Sequence, residues 1–167
     1  DRSDVVGDGG CPFCAMEHLP PEESLVVATG EHCFTVLNLH PYNPGHLMVV
    51  PYRKVAELEA LTDAETAELM AFAKHAVKTL KRVSKPEAIN VGLNLGKASG
   101  GSVGDHLHLH VVPRWAGDSN FMTIIDATKV LPQTLQQTRD LLARAGDGGV
   151  EPAGGLFPET GRLVIGE

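Results

Sequence analysis

The stretch GSVGDHLHLHVVP, residues 101–113, decides the fold of this 167-residue chain, because a glycine-ended loop runs into a strand that alternates histidine with aliphatic residues. Successive side chains of a strand point to opposite faces of a sheet. One face is therefore predicted to carry His106, His108 and His110. The other face is predicted to enter the core with Leu107, Leu109 and Val111. A lone histidine on such a strand is usually a satisfied core residue, but burying three unpaired imidazoles is costly, so the pattern indicates a functional site.

Two kinds of chemistry fit these histidines. Imidazole is the commonest metal ligand, and it is also a nucleophile and proton carrier near neutral pH. Metal chemistry on hard substrates usually recruits carboxylates, yet the only nearby acid is Asp105, whose side chain is predicted to face away from His106. The upstream segment GKASGGS, residues 96–102, offers small residues, backbone N–H groups and a lysine, which suit a phosphate cradle. The residues therefore favour nucleophilic attack by histidine.

The segment HLHLHVV, residues 106–112, resembles the highly specific signature of the histidine triad (HIT) superfamily of nucleotide hydrolases and transferases. PGHLMVVP at 44–51 is similar to the superfamily's Pro-Gly-His strand, and NLG at 94–96, followed by Gly101 and Ser102, is similar to its substrate loop. PRWAGDSNFM at 113–122 resembles the branch that includes the bacterial diadenosine tetraphosphate phosphorylases. The resemblance covers roughly residues 11–145.

The hydrophobic pattern predicts an α+β fold with an antiparallel sheet and helices on one side. Strands are predicted at 32–39, 46–52, 88–95 and 121–125, and the first two form a hairpin around the turn at 41–45. A capping box at Thr62 and Glu65 opens one long helix that Pro86 stops, and a C-terminal helix opens at 131–132. Small polar residues at 90, 92 and 94 are predicted to face the histidine cleft. The HIT resemblance implies the same fold and a two-fold homodimer that joins two sheets.

His108 is predicted to be the nucleophile, because a histidine flanks it on each side of the same face. Its far ring nitrogen attacks the α-phosphorus of a nucleotide and gives a nucleotidyl-histidine, while its near nitrogen donates to a backbone carbonyl that fixes the tautomer. His110 and Ser102 are expected to bind phosphoryl oxygens or to protonate the leaving group. His106 is expected to orient the nucleophile.

Five further residues are expected to bind substrate. Asn94 and Gly101 shape the pocket. The resemblance implies that Asn38 lies near the ribose and His46 near the phosphates, although Asn38 also fits a cross-strand hydrogen bond. Trp115 is either a wall for a second nucleotide, as the phosphorylase-like segment implies, or an ordinary core residue.

The acceptor of the nucleotidyl group distinguishes the candidate enzymes. With inorganic phosphate, diadenosine tetraphosphate gives ATP and ADP, which the 113–122 segment favours. Ala116 stands where that branch commonly has asparagine, so a HIT hydrolase of dinucleoside polyphosphates or nucleoside phosphoramidates is the alternative. A third reading, from a different class, is a non-catalytic zinc-binding module.

Cys11 and Cys14 form a CPFC knuckle that suits a structural zinc ion, whereas the chemistry itself needs no cofactor. In zinc-containing relatives, the resemblance implies two more ligands, the first triad histidine (here His106) and a histidine at a position that Lys54 occupies here. For the fourth ligand, which Lys54 cannot supply, the sequence offers His18, His32 and Cys33 as substitutes. The alternative is a pair of reduced, partly buried thiols.

Composition limits the remaining readings. The length fits one domain at 11–145, with a mobile leader at 1–10 and a flexible tail at 146–167. A formal charge of −7 argues against a general nucleic-acid binder. No apolar stretch is long enough for a transmembrane helix or a signal peptide, and three cysteines suit a reducing compartment, so a cytoplasmic protein without membrane contact is predicted.

Overall fold

A five-stranded antiparallel sheet carries the histidine segment at its centre. The computed structural model describes residues 11–16, 19–20, 23–99, 103–118 and 134–146. Within those ranges the strands are β1 Val26–Thr29, β2 Cys33–Leu37, β3 Leu47–Pro51, β4 Ala88–Leu93 and β5 Leu109–Arg114, in the order β1-β2-β3-β5-β4. The helices are α1 Pro12–Met16, α2 Asp63–Val83 and α3 Leu135–Gly146, with short 3-10 turns at Leu58–Ala60 and Lys97–Ser99. The predicted α+β class is confirmed.

Helix α2 begins where the capping box predicts. The Thr62 hydroxyl accepts the backbone N–H of Glu65 at 3.2 Å, and the Glu65 carboxylate accepts the backbone N–H of Thr62 at 2.8 Å. The apolar stripe packs on the sheet with Leu69, Phe72, Ala73, Ala76 and Leu80 buried. Residues at three- and four-residue spacing share one helix face, which explains why the prediction of this helix is confirmed.

Strand β1 was not predicted from the sequence, and a buried carboxylate of α2 holds the turn between β1 and β2. Glu68 accepts backbone N–H groups of Glu31, His32 and Cys33 at 3.0, 2.5 and 2.6 Å. A Cβ atom at Gly30 would lie 2.7 Å from the Phe72 ring, so the turn between β1 and β2 passes directly over α2. A lone Glu in a helix pattern gives no hint of such a contact.

The register of the central strands places the histidines. Met48 of β3 and Gly92 of β4 lie opposite His110 on either side of β5. The prediction that the polar face of the 88–95 segment lies beside the histidine strand is therefore confirmed. The strand itself starts at Leu109, later than predicted, because the Leu107 N–H bonds to the Val55 carbonyl at 2.6 Å instead of joining the sheet ladder.

Several predictions fall outside the described residues: the leader at 1–10, the strand at 121–125, the helix opening at 131–132 and the tail beyond residue 146. Among the residues that the structure does describe, no helix has the length and apolar character needed to cross a membrane.

Candidate active site

The ring of His108 is held in one tautomer. Its Nδ1 lies 2.9 Å from the backbone carbonyl of His106, and a carbonyl oxygen can only accept, so Nδ1 carries the proton. The other nitrogen, Nε2, then keeps a free lone pair. His108 is 7 % exposed, which leaves this lone pair poorly solvated. The sequence predicted this arrangement of a near nitrogen on a carbonyl and a far nitrogen available for attack.

Both ring nitrogens of His106 are engaged by protein groups. Its Nε2 donates to the Pro51 carbonyl at 2.8 Å, and its Nδ1 lies 3.1 Å from Cys11 Sγ and 3.6 Å from Cys14 Sγ. Burial lowers the pKa of His106, so the ring is neutral. His106 lies in the bend that precedes β5, and the shared face of the three imidazoles stays a prediction. The backbone carbonyl of His106, rather than its ring, orients His108.

His110 is paired with a histidine from the neighbouring strand's start. His46 is fully buried, and its Nε2 lies 2.9 Å from His110 Nδ1. The backbone N–H of Tyr42 donates to His46 Nδ1 at 3.1 Å, so that nitrogen must be unprotonated and Nε2 must carry the proton of the neutral ring. His46 therefore donates to His110, and the proton of neutral His110 resides on Nε2.

The tautomer of His110 sets what it presents to a ligand. Burial, with a smaller contribution from His108, lowers the pKa of His110 to about 4, so the ring is neutral near pH 7. Its Nε2–H is then a fixed donor on the side of Asn94, whose side-chain nitrogen atom lies 3.4 Å away. Since amide nitrogen and oxygen positions are interchangeable by a flip, Asn94 fits this donor through its oxygen. Together, His108 and His110 place an Nε2 lone pair beside an Nε2–H donor.

The floor of the cleft beside His110 is open. A Cβ atom built at Gly92 would meet nothing within 4 Å, and the backbone there is exposed. Gly96 has a φ of +76°, which glycine adopts without strain as the chain leaves β4. Lys97 follows in an exposed 3-10 turn. Gly101 and Ser102, expected to form the phosphate cradle, lie outside the described residues.

Asn38 and His46 contact one another across the hairpin, and a substrate contact for either residue stays a prediction. The Asn38 oxygen accepts the His40 N–H at 2.9 Å, and its nitrogen lies 3.4 Å from His46 Nδ1, across the hairpin. The contact with His46 matches the cross-strand alternative for Asn38. His46 lies behind His110, so it acts on a substrate only through that ring.

Trp115 directly follows β5 and lies beside α2 and α3. It lines an open cavity of about 820 Å³ with Val83 and Ser84 at the end of α2 and with Thr138 and Leu141 of α3. The adjoining turn is fixed by Asp118, whose carboxylate pairs with Arg114 at 2.6 and 2.9 Å, which holds the pKa of Asp118 well below its usual range. The role of Trp115 as a wall for a second nucleotide stays a prediction.

Cys11, Cys14 and His106 form the one group among the described residues that is suited to a metal ion, with ligand atoms within 4.8 Å of one another. His106 Nδ1 faces the two sulfur atoms as an acceptor because its Nε2–H is bound to a carbonyl, the arrangement usual for metal-ligating histidine. Cys33 is elsewhere: burial raises the pKa of its thiol to about 12, and its sulfur contacts the Glu65 carbonyl. His32 is also outside the group, and His18 is not among the described residues.

Three residues near the histidines were missed in the sequence. Phe13 packs against His106 and His108, the Tyr42 ring stacks on His46, and Asn43 Nδ2 donates to the Pro113 carbonyl and to Asp118. Phe13 sits inside the CPFC knuckle, and its packing on the rings of His106 and His108 follows only from the fold. Tyr42 lies in the hairpin turn and contacts His46 through both its ring and its backbone N–H.

Residues 21–117 match the model of the HIT domain, and the chain belongs to this family. It is 62 % identical over 132 residues to the AP-4-A phosphorylase of Mycobacterium tuberculosis, covering 79 % of this chain and 68 % of that protein. It is 34 % identical over 82 residues to the asymmetrical bis(5'-nucleosyl)-tetraphosphatase of Schizosaccharomyces pombe, covering 49 % and 44 %. The fold superposes with a TM-score of 0.66 on a zinc-bound histidine triad family protein from Mycobacterium smegmatis, at 26 % identity, covering 81 % and 92 %.

Proposed function

We propose that this chain is a nucleotidyltransferase that cleaves diadenosine tetraphosphate with inorganic phosphate and yields ATP and ADP. The observation that carries the proposal is the free Nε2 of His108, fixed by the His106 carbonyl and set beside a neutral His110. The identity to a protein named AP-4-A phosphorylase supports the substrate and the acceptor.

The first step is attack of His108 Nε2 on the α-phosphorus. The N–P bond forms as the P–O bond to the leaving nucleoside triphosphate breaks, and the electron pair stays on that oxygen. The His110 Nε2–H donates to a phosphoryl or leaving oxygen where negative charge grows. Because its pKa lies at about 4, His110 is a hydrogen-bond donor rather than an imidazolium in the unliganded site.

In the second step phosphate oxygen attacks the nucleotidyl-histidine and releases ADP, which restores the free His108 ring. Acceptor choice depends on which oxygen nucleophile the pocket holds in line. We propose that Gly101 and Ser102, with Lys97 adding charge, hold phosphate. Product chromatography with and without phosphate tests this. ADP paired with ATP at a phosphate-dependent rate supports a phosphorylase. AMP at a rate indifferent to phosphate identifies a hydrolase.

Ser102→Ala separates acceptor binding from dinucleotide binding. We expect this variant to need more phosphate for half-maximal rate, by about tenfold for one lost hydrogen bond to a charged group, while its KM for the dinucleotide stays near wild type. Ser99→Ala is a matched control, because the Ser99 hydroxyl donates to the Gly96 carbonyl at 2.6 Å and is already engaged.

We propose a structural zinc ion at Cys11, Cys14 and His106. Bound there, zinc would neutralise the two thiolates and anchor the N-terminal knuckle. Lys54, at the position of a fourth ligand in relatives, instead pairs with Asp105 at 2.8 Å. Metal analysis of the purified protein tests occupancy. Since none of the steps above uses the ion, chelation at constant circular dichroism is expected to leave the initial rate within about twofold.

We also propose that two copies pair along β4. This strand is one of the two edges of the sheet in the described residues, and it exposes Val91 at 47 % with Leu95 beyond it at 46 %. Unpaired edge strands with apolar side chains invite pairing with another chain. Light scattering is expected to give the dimer mass, and Val91→Glu is expected to give the monomer. A cytoplasmic location stays a prediction.

A further inference from the structure

The side chain of Phe13 touches two of the three triad histidines. Its ring centroid lies 5.0 Å from that of His108 at an interplanar angle of 45° and 5.5 Å from that of His106 at 79°. The side chain is 4 % exposed. Aromatic pairs at these separations and tilts attract one another beyond the burial of their area. Phe13 is thus placed to restrict the ring of the nucleophile.

The single hydrogen bond from His108 Nδ1 does not by itself fix the direction of Nε2. That bond holds one ring atom on the His106 carbonyl, and the terminal torsion of a histidine is a broad one. Phe13 supplies one neighbouring ring, and His110 supplies another at 4.7 Å and 73°. The two rings together restrict the swing of the imidazole and so the line of its lone pair.

The cysteines on either side of Phe13 hold it in place. Helix α1 has only five residues, too few to be stable in isolation. Cys11 and Cys14 both approach His106 Nδ1, and they flank Phe13 in the sequence. Direct sulfur–imidazole contacts would anchor the helix at Cys11, Cys14 and His106, and a metal ion bound by these three residues would anchor it at the same place. Phe13 therefore keeps its position with or without the ion.

We propose that Phe13 is a positioning residue for the nucleophile, and that the CPFC knuckle serves catalysis by holding this ring against His108. The proposal rests on the proposed function for its kinetic consequence. A positioning role acts on the geometry of attack, so it affects kcat, whereas a residue that binds substrate affects KM. Misplacement of a reacting group by about 1 Å costs on the order of a hundredfold in rate.

Phe13→Leu and Phe72→Leu make a matched pair. Both remove a buried aromatic ring, but Phe72 lies on α2 against the β1–β2 turn. We expect Phe13→Leu to lower kcat by about tenfold to a hundredfold with KM for diadenosine tetraphosphate within twofold. Phe72→Leu is expected to lower the thermal midpoint while kcat stays near wild type. Equal falls in kcat for both variants, or a change in KM alone for Phe13→Leu, would overturn the proposal.

Nitrogen NMR of the histidine rings supplies a readout that needs no substrate. In wild type His108 is expected to show a single Nδ1–H tautomer, and in Phe13→Leu a mixture of the two tautomers, with Phe72→Leu like wild type. Retention of the single tautomer in folded Phe13→Leu would refute the positioning role. This spectrum decides the matter even if wild-type protein turns over no dinucleotide, which would refute the proposed function instead.

Discussion

Replacing His46 tests whether a buried histidine sets the proton position of His110. His46→Leu removes the donor that lies 2.9 Å from His110 Nδ1 and leaves the Tyr42 N–H without its acceptor. A buried polar group left unpaired costs about 1–3 kcal/mol. His110 can recover part of this by moving its proton to Nδ1, which takes the N–H away from the cleft. Since 1.36 kcal/mol is tenfold in rate, we expect kcat to fall by about 10- to 100-fold.

The matched variant is His46→Gln, whose side-chain amide reaches about as far as the imidazole Nε2 and can donate the same hydrogen bond. It is expected to retain most of the kcat that His46→Leu loses. Thermal unfolding would verify that both variants are folded at the assay temperature, and initial rates at saturating dinucleotide and phosphate give kcat. If His46→Leu turned over at the wild-type rate, or if the two variants lost equal activity, the donor role of His46 would be refuted.

Two further predictions concern stability. Glu68→Ala leaves three backbone N–H groups without their acceptor, among them that of the fully buried Cys33. This variant is expected to lower the free energy of unfolding by about 3 kcal/mol in urea titrations. Glu68→Gln keeps one acceptor oxygen and is expected to lower the free energy of unfolding by about 1 kcal/mol. The Arg53 guanidinium lowers the pKa of Glu65 to about 2, so this ion pair stabilises the fold above pH 4.5 and the stabilisation is lost as the pH falls toward 2. In Arg53→Met the free energy of unfolding is expected to depend less on pH between about 4.5 and 2. An unchanged pH dependence would contradict this prediction.

The sequence predicted those parts of the fold that rest on local patterns. Helix α2 has a capping box and a continuous apolar stripe, and β4 alternates strictly, so both lie where expected. The short strand β1 has only four residues, and the turn that follows it is held by the distant carboxylate of Glu68, so local pattern did not reveal it. Strand β5 starts late because the Leu107 N–H binds Val55, a contact that strand alternation cannot reveal.

The same distinction holds at the candidate site. Three histidines at two-residue spacing identified the segment, and the tautomer of His108 was expected from the chemistry it has to perform. The resemblance to zinc-containing relatives had implied the contact of His106 with the two cysteines, whereas the burial of His46 behind His110 required the tertiary fold. Alternation assigns a side chain to a face, but it does not say which other element already occupies that face.

Trapping the covalent intermediate tests the central claim most directly. Wild-type protein is mixed with diadenosine tetraphosphate in the absence of phosphate, quenched on the timescale of one turnover and digested for mass spectrometry. We predict one nucleotidyl group on His108, ATP released in equal amount, ADP formed when phosphate is added, and no adduct in His108→Ala. Release of ATP in a single turnover without an adduct, or an adduct on another residue, would contradict the assignment of His108 as nucleophile.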